Sequence, residues 1–428
     1  MSLEKIQYNN GLTAYVDHMP GALTTSINAY VPYGSVNEDK GQEGVAHALE
    51  HAVFLKTPLF ESKAANSLHA RLNGMYKNAN TYYTRTLYEA EGMSADAGFR
   101  HLGQILQYSE IPDAAVDHEM KAVRREALTG LDNIDTTHAV ASSYAMFGKP
   151  YGRRVIGYHD KLDFNGEMLR AAYRRHYNLG NMAVVVAGAT TLEQVDELLH
   201  KYFDLETIVE TKPAKQPKKP SVREGLITGS IREESNNVRI TVSRPMTDEL
   251  REKILSNPSL YSIAGSVMSD ECFQTLRYDK GISYNGSIGV AQHNHPNAWS
   301  LMGYVTTDAE NVTIANQVFD TVLKKHGSEY SNDQVQAGLA MGKYSVAATM
   351  ESIDGRLGLH VRRLERYVEP RDISELYSRV HSIQPQDVRN AIDDLVDLAA
   401  TGERFEHRTS NQENLKGVDK IVVSSKIM

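Results

Sequence analysis

Three residues capable of hydrolytic chemistry stand together in one short stretch, Gly44-Val45-Ala46-His47-Ala48-Leu49-Glu50-His51-Ala52-Val53-Phe54. Its composition favours helix, and no proline occurs between Pro32 and Pro58. A helix turns about 100° per residue. His47 and His51 therefore fall one turn apart with Glu50 beside them, and all three side chains leave one face. Two imidazoles so spaced can share a metal ion. A carboxylate between them can reach a water on that ion.

Two histidines leave a tetrahedral zinc short of a third protein ligand, and hydrolytic zinc sites commonly fill that place with Glu. A second helix with carboxylates on one face is the place to look. His118 to Leu128 supplies it: Glu119 and Glu126 are seven apart, nearly two turns, and Glu126 comes 75 positions after His51. The combination H-x-x-E-H, a distant Glu at this separation and another Glu seven before it resembles the pitrilysin family. That family includes insulin-degrading enzyme and mitochondrial processing peptidase. The resemblance implies that His47, His51 and Glu126 bind one Zn2+ per chain. It implies Glu50 as general base, and Glu119 as a carboxylate behind the ligands that steers one of them or the water.

The elements that position these residues follow from the rest of the chain. At 428 residues it is too long for one ordinary core, so two domains are expected. A net charge of −8 argues against a nucleic-acid partner. The single cysteine, Cys272, excludes an internal disulfide framework and fits a reducing compartment. Met1 to Asn10 is polar, and the longest apolar run, near Asn181 to Leu192, is too short to span a bilayer. These features predict a cytoplasmic protein without a membrane segment.

In the first half, Gly11 to Asp17 and Thr24 to Val31 read as strands that pair as neighbours, with Ser26, Asn28 and Tyr30 on one side. Gly34-Ser35-Val36-Asn37-Glu38 resembles the family's approach to the metal helix, and Phe54 to Thr57 its exit, with Lys56 where a Gly is usual. Asn78 to Tyr88 is rich in Thr and Tyr, a strand composition. It resembles the family's N-A-x-T-x4-T-x-Y segment. The resemblance implies that Asn78, Ala79, Asn80 and Thr81 form a sheet edge to which a substrate peptide adds as a strand, held by backbone hydrogen bonds. Helices are expected at Glu61 to Leu72, Ala97 to Gln107, Asp117 to Thr129, Leu169 to Tyr177 and Thr191 to Phe203, and a buried strand at Asn181 to Gly188.

A Pro/Lys-rich linker, 209–224, separates an expected N-terminal catalytic domain, 1–208, from a C-terminal domain, 225–428, in which the order of elements repeats. Its helix from Ser259 to Leu276 carries Ser266, Met268, Asp270 and Cys272 in place of H-x-x-E-H, as in a duplicated domain that lost its metal site. A last strand is expected at Ile421 to Ser424. Leu276 to Tyr284 resembles the family's L-R-E-x-x-G-x-x-Y, with Asp279 off the usual Glu position. The resemblance implies that Arg277 and Tyr284 stabilise the charge that grows on a carbonyl oxygen under attack.

The expected fold class is α+β: two homologous domains, each a mostly antiparallel sheet packed with helices. The expected function is a zinc endopeptidase acting on peptides or unfolded segments bound as an added strand in an enclosed chamber. It is expected to pair as a homodimer, or as a heterodimer with a related subunit. Two alternatives stay open at this point: an inactive scaffold or partner subunit of the same fold, and a dedicated maturation protease for one ribosomal peptide or cofactor precursor.

Overall fold

The computed structural model describes residues 3–149, 151–208, 225–293, 298–366, 368–399, 404–415 and 417–421. The first half contains β1 (Glu4–Gln7), β2 (Thr13–His18), β3 (Thr25–Val31), α1 (Val45–Ala52), α2 (Lys63–Leu72), β4 (Met75–Thr81), β5 (Thr86–Gly92), α3 (Ala95–Gln107) and α4 (Asp113–Asp132). It continues through α5 (Ile134–Phe147), α6 (Gly166–His176), β6 (Ala183–Gly188) and α7 (Leu192–Tyr202). The second half contains β7 (Ile227–Ile231), β8 (Asn237–Pro245), α8 (Asp248–Ser256), α9 (Pro258–Gln274), β9 (Gly286–Gln292) and β10 (Trp299–Asp308). It ends with α10 (Val312–Val322), α11 (Asn332–Glu351), α12 (Ile353–Glu365), α13 (Ser374–Ser382), α14 (Pro385–Ala399), β11 (Phe405–Ser410) and β12 (Lys420–Ile421).

Each half builds one six-stranded sheet, in the orders β1-β2-β6-β3-β5-β4 and β12-β7-β11-β8-β10-β9. Leaving out β1 and β12, the two orders correspond strand for strand. In each, one parallel pair, β2–β6 or β7–β11, is followed by antiparallel pairs. The expected α+β architecture with a repeated, mostly antiparallel sheet is what the chain adopts. One expected pairing is corrected. β2 and β3 are not neighbours, because β6 lies between them, parallel to β2 and antiparallel to β3. The run Ala-Val-Val-Val-Ala-Gly in β6 is apolar on both faces, which suits a central strand better than an edge.

The chain divides into two compact units, and neither is continuous in sequence. One gathers Met1–Thr129, Arg154–Pro217 and Ala348–Glu375; the other gathers Gly130–Arg153, Lys218–Ala347 and Leu376–Met428. The division thus differs from the expected 1–208 and 225–428, because each unit takes one helical segment from the opposite half. α12 packs in the first unit and α5 in the second. The expected linker, 209–224, lies outside the described residues, as does most of the expected last strand, of which Ile421 ends β12.

The helix from the far half explains why β3 is buried along its whole length. Leu357 and Val361 of α12 cover Tyr15, Tyr30, Leu87 and Val185 on one side of the sheet. The helices α1, α3 and α4 supply the larger core on the other side. Under α12 lies a buried charged group. Arg356 Nη1 donates to Asp17 Oδ1 at 2.7 Å, and His360 Nε2 lies 2.9 Å from Asp17 Oδ2. Burial alone would raise the Asp17 pKa, but the bond to His360 and the Arg356 charge outweigh it and bring the pKa below its usual value.

A depressed carboxylate pKa contributes stability that is complete above the unfolded value, about 4, and is lost as pH falls below it. Asp17→Asn is expected to cost about 3–5 kcal/mol at neutral pH, since it leaves a buried guanidinium unpaired. The difference from the native chain should shrink below about pH 4. Denaturant midpoints at neutral and acid pH check this, and a pH-independent difference would contradict it.

Candidate metal centre

α1 begins where Gly44 adopts a left-handed conformation, φ 100°. A side chain there would strike the backbone, since a Cβ would sit 2.8 Å from the Ile156 carbonyl oxygen. The free N–H groups of the first turn are taken by Glu38. Its carboxylate accepts from Gly44 N at 3.1 Å and from Ala46 N at 3.0 Å. A carboxylate at a helix N-terminus also complements the helix dipole. The glutamate of the Gly34–Glu38 approach loop therefore serves as the helix cap. Every residue of α1 except His51 is buried, and His51 is partly so.

His47 and His51 lie with ring centroids 4.8 Å apart. The Glu126 carboxylate of α4 faces both: Oε1 lies 3.6 Å from His47 Nε2 and Oε2 lies 3.3 Å from His51 Nε2. One donor atom from each of the three residues lies within 4.8 Å of the others. Two imidazole nitrogens and a carboxylate oxygen form the donor set that zinc takes in hydrolytic sites. His47, His51 and Glu126 thus fit such an ion.

The carboxylates around this set have separate partners. Glu119 Oε1 lies 2.8 Å from His51 Nδ1 and accepts from Lys63 Nζ at 2.6 Å. Binding at Nδ1 leaves His51 Nε2 for an ion, the arrangement by which outer carboxylates fix a ligand's tautomer. Glu50 Oε2 accepts from the Thr81 hydroxyl at 2.6 Å, so the last residue of β4 holds this carboxylate.

Protons follow the same geometry. Burial would lower the His51 pKa, but bonds to Glu119 and Glu126 and the Glu50 charge lift it to about 9. Burial would raise Glu119, and the bonds from His51 and Lys63 bring it down to about 2. Bonds from His47 and His51 hold Glu126 far below the usual carboxylate range.

β4 is the last strand of its sheet, paired to β5 alone among the described residues. Asn78, Ala79, Asn80 and Thr81 pair with Glu89, Tyr88, Leu87 and Thr86, and the opposite edge of β4 carries no strand. Arg277 and Tyr284 belong to the other unit. The Arg277 guanidinium lies over the rings of Tyr284, Phe273 and Tyr278, at 4.3, 5.3 and 5.4 Å from their centroids. Arg277 sits on a π-helical turn, Thr275–Asp279, and Tyr284 is 80% exposed. Both line a cavity of about 1050 Å³ together with His138, Arg239 and Tyr304.

Sequence reasoning did not find Lys63, the Glu38 cap or the Thr81–Glu50 bond. Lys63 is 56 positions from Glu119, and no periodicity links them. Glu38 and Thr81 lay inside quoted motifs, where the pattern names a residue type without its partner.

Residues 13–136 match the family described as Insulinase (Peptidase family M16), and residues 163–340 match that described as Peptidase M16 inactive domain. An "uncharacterized zinc protease" of Rickettsia felis is 23% identical over 386 residues, covering 87% of this chain and 90% of that protein. Mitochondrial-processing peptidase subunit beta of Neurospora crassa is 28% identical over 202 residues, 45% of this chain and 41% of that one. In structure, a peptidase M16 inactive domain from Pseudomonas fluorescens has a TM-score of 0.78 at 12% identity, over 96% of this chain and 98% of that one. The first half of the periplasmic protease PqqL from Escherichia coli has a TM-score of 0.75 at 15% identity, over 96% and 92%.

Lys63→Met is expected to weaken zinc binding about tenfold, the lower end of the cost of removing an outer-shell partner. Competition with a colorimetric chelator measures it, and Lys63→Arg should recover most of the loss. Unchanged affinity in Lys63→Met would show that Glu119 is held without it.

Proposed function

The chain belongs to the M16 peptidase family, and from that premise we propose that it is a zinc-dependent endopeptidase that takes peptides or unfolded segments as an added strand along β4. The observation carrying this reading is the convergence of His47, His51 and Glu126 within 4.8 Å, beside a carboxylate tied to the edge strand itself. Zinc held by those three residues would supply a Lewis acid and a water of pKa near neutrality. Glu50 takes the proton of the attacking water and hands it to the leaving amine. Thr81 holds the Glu50 carboxylate by its hydroxyl. Glu119 orients His51 through Nδ1. The open backbone edge of Asn78 to Thr81 aligns the substrate by hydrogen bonds that any sequence can make.

The inactive-scaffold reading draws its support from the inactive-domain match, but that match covers 163–340, outside His47 to Glu126. The maturation-protease reading keeps the same chemistry with a narrower substrate. Among the described residues no helix is long and apolar enough to cross a membrane. A cytoplasmic location is part of the proposal, for which the support is a sequence too poor in cysteine to carry a disulfide framework.

Glu50→Gln should retain stoichiometric zinc by metal analysis and lose peptide cleavage by at least about 100-fold, the lower range for general-base loss. Normal cleavage by that variant would remove Glu50 from the mechanism.

Arg277 and Tyr284 serve, in this proposal, the zinc site of a second copy in a homodimer, stabilising negative charge on the attacked carbonyl. Mixing Glu50→Gln chains with Arg277→Ala chains should then restore activity in the mixed dimers. No recovery at any ratio would count against sharing between copies.

A further inference from the structure

One cation beside this site has no part in the chemistry above. Lys77 is the third residue of β4. Side chains alternate along a strand, so Lys77, Ala79 and Thr81 share a face, and Thr81 on that face donates to Glu50. The Lys77 ammonium rests 4.7 Å from the centroid of the Phe54 ring. Phe54 lies three residues beyond His51, just past the end of α1.

Several lysines of this unit are ion-paired; among the described residues Lys77, partly buried, is not. Lys5, Lys56, Lys63 and Lys201 each meet a carboxylate within 2.7 Å. Lys77 meets none among the described residues. The charge that bears on it is that of Lys63, which repels it. His101, on the far side of Phe54, is kept neutral by burial and by the Lys77 charge, with a pKa of about 3. The nearby acids are engaged elsewhere: Glu50 by Thr81, Glu119 by His51 and Lys63, and Glu126 by the two histidines. A partly desolvated ammonium without counter-charge is costly, and the ring face offsets only part of that cost.

We propose that Lys77 is a specificity-determining residue: it receives a carboxylate of the substrate lying along β4, seated against Phe54. This rests on the strand-addition reading given above. Thr81 lies four positions beyond Lys77, about 13 Å along an extended strand. The selected carboxylate therefore lies roughly two to four residues from the scissile bond, allowing for the reach of the lysine side chain. It is an acidic side chain or the terminal carboxylate of a short peptide.

The test uses the full-length, zinc-loaded Glu50→Gln chain and fluorescent peptides that differ by Glu or Gln at one position. A third set has an amidated C-terminus. Binding is read by anisotropy, and cleavage of the same peptides is followed with the native chain. We expect about tenfold tighter binding of the Glu peptide at one position, a difference of about 1.4 kcal/mol. If the terminal carboxylate is the one selected, the same difference appears between free and amidated ends. Lys77→Met, introduced into the Glu50→Gln chain, should abolish the preference. Lys77→Arg should keep it, and Lys77→Glu should reverse it toward Lys-bearing peptides. Equal binding of all three peptide sets, or a preference that survives Lys77→Met, overturns the assignment while cleavage by the native chain stands. A preference that Lys77→Met removes, in a chain whose native form cleaves nothing, sustains the Lys77 assignment and overturns the peptidase reading.

Discussion

Two imidazoles and two carboxylates share a partly buried space, and the structure of the first unit depends on how their charges are balanced. Their mutual bonds hold Glu126 and Glu119 ionised and raise the affinity of His51 for a proton well above its usual range. That proton occupies the electrostatic role of a cation. A divalent ion taken by the same nitrogens must displace it, so binding releases a proton and weakens in acid. The same balance accounts for the burial of α1. A helix carrying two histidines and a glutamate stays nearly closed off from water because most of its polar groups meet a partner from another element; the buried His47 Nδ1 has none among the described residues. Glu38 takes the helix N-terminus, Thr81 takes Glu50, and Glu119 takes His51.

Those partners come from distant parts of the chain, and the sheet brings them together. β4 carries Thr81 to Glu50 at its C-terminal end, and α2, immediately before it, carries Lys63 to Glu119. The turn after β4 is fixed in turn by Arg85, which stacks on Tyr82 and pairs with Glu365 at the end of α12. α12 is also the helix that bonds Asp17 and covers the second face of the sheet. Loosening at α12 would thus reach the turn after β4 through the Arg85–Glu365 pair and β2 through Asp17.

The parts that the sequence made legible share one property: their signal is local or tied to a fixed spacing. H-x-x-E-H and the Glu119/Glu126 pair are helical spacings, and the structure brings His47, His51 and Glu126 together as those spacings require. Most strands and helices were likewise visible as local runs. What escaped was non-local. The insertion of β6 between β2 and β3 is a decision of the whole sheet, and nothing in β2 or β3 alone encodes it. α5 and α12 were not read as elements, and these two helices are the ones packed in the unit opposite to their own half. Their apolar faces match surfaces formed elsewhere, so Ser26, Asn28 and Tyr30 look like a solvent side until α12 covers them.

The two sheets repeat one topology, yet their chemistry has separated. In the second unit the helix α9 offers Ser266, Met268, Asp270 and Cys272 where the first has its donors. Cys272 is fully buried, and burial with the nearby Glu271 pushes its thiol up to about 12, which leaves it an inert core residue. The segment after α9 departs from regular helix into a π-turn, a distortion common at functional sites. That turn sets Arg277 against three aromatic faces, and no carboxylate pairs with it among the described residues. Flat rings accommodate such a cation without taking its hydrogen bonds. The two units thus offer different groups: a guanidinium set among aromatic rings in one, and the His47, His51 and Glu126 donor set in the other.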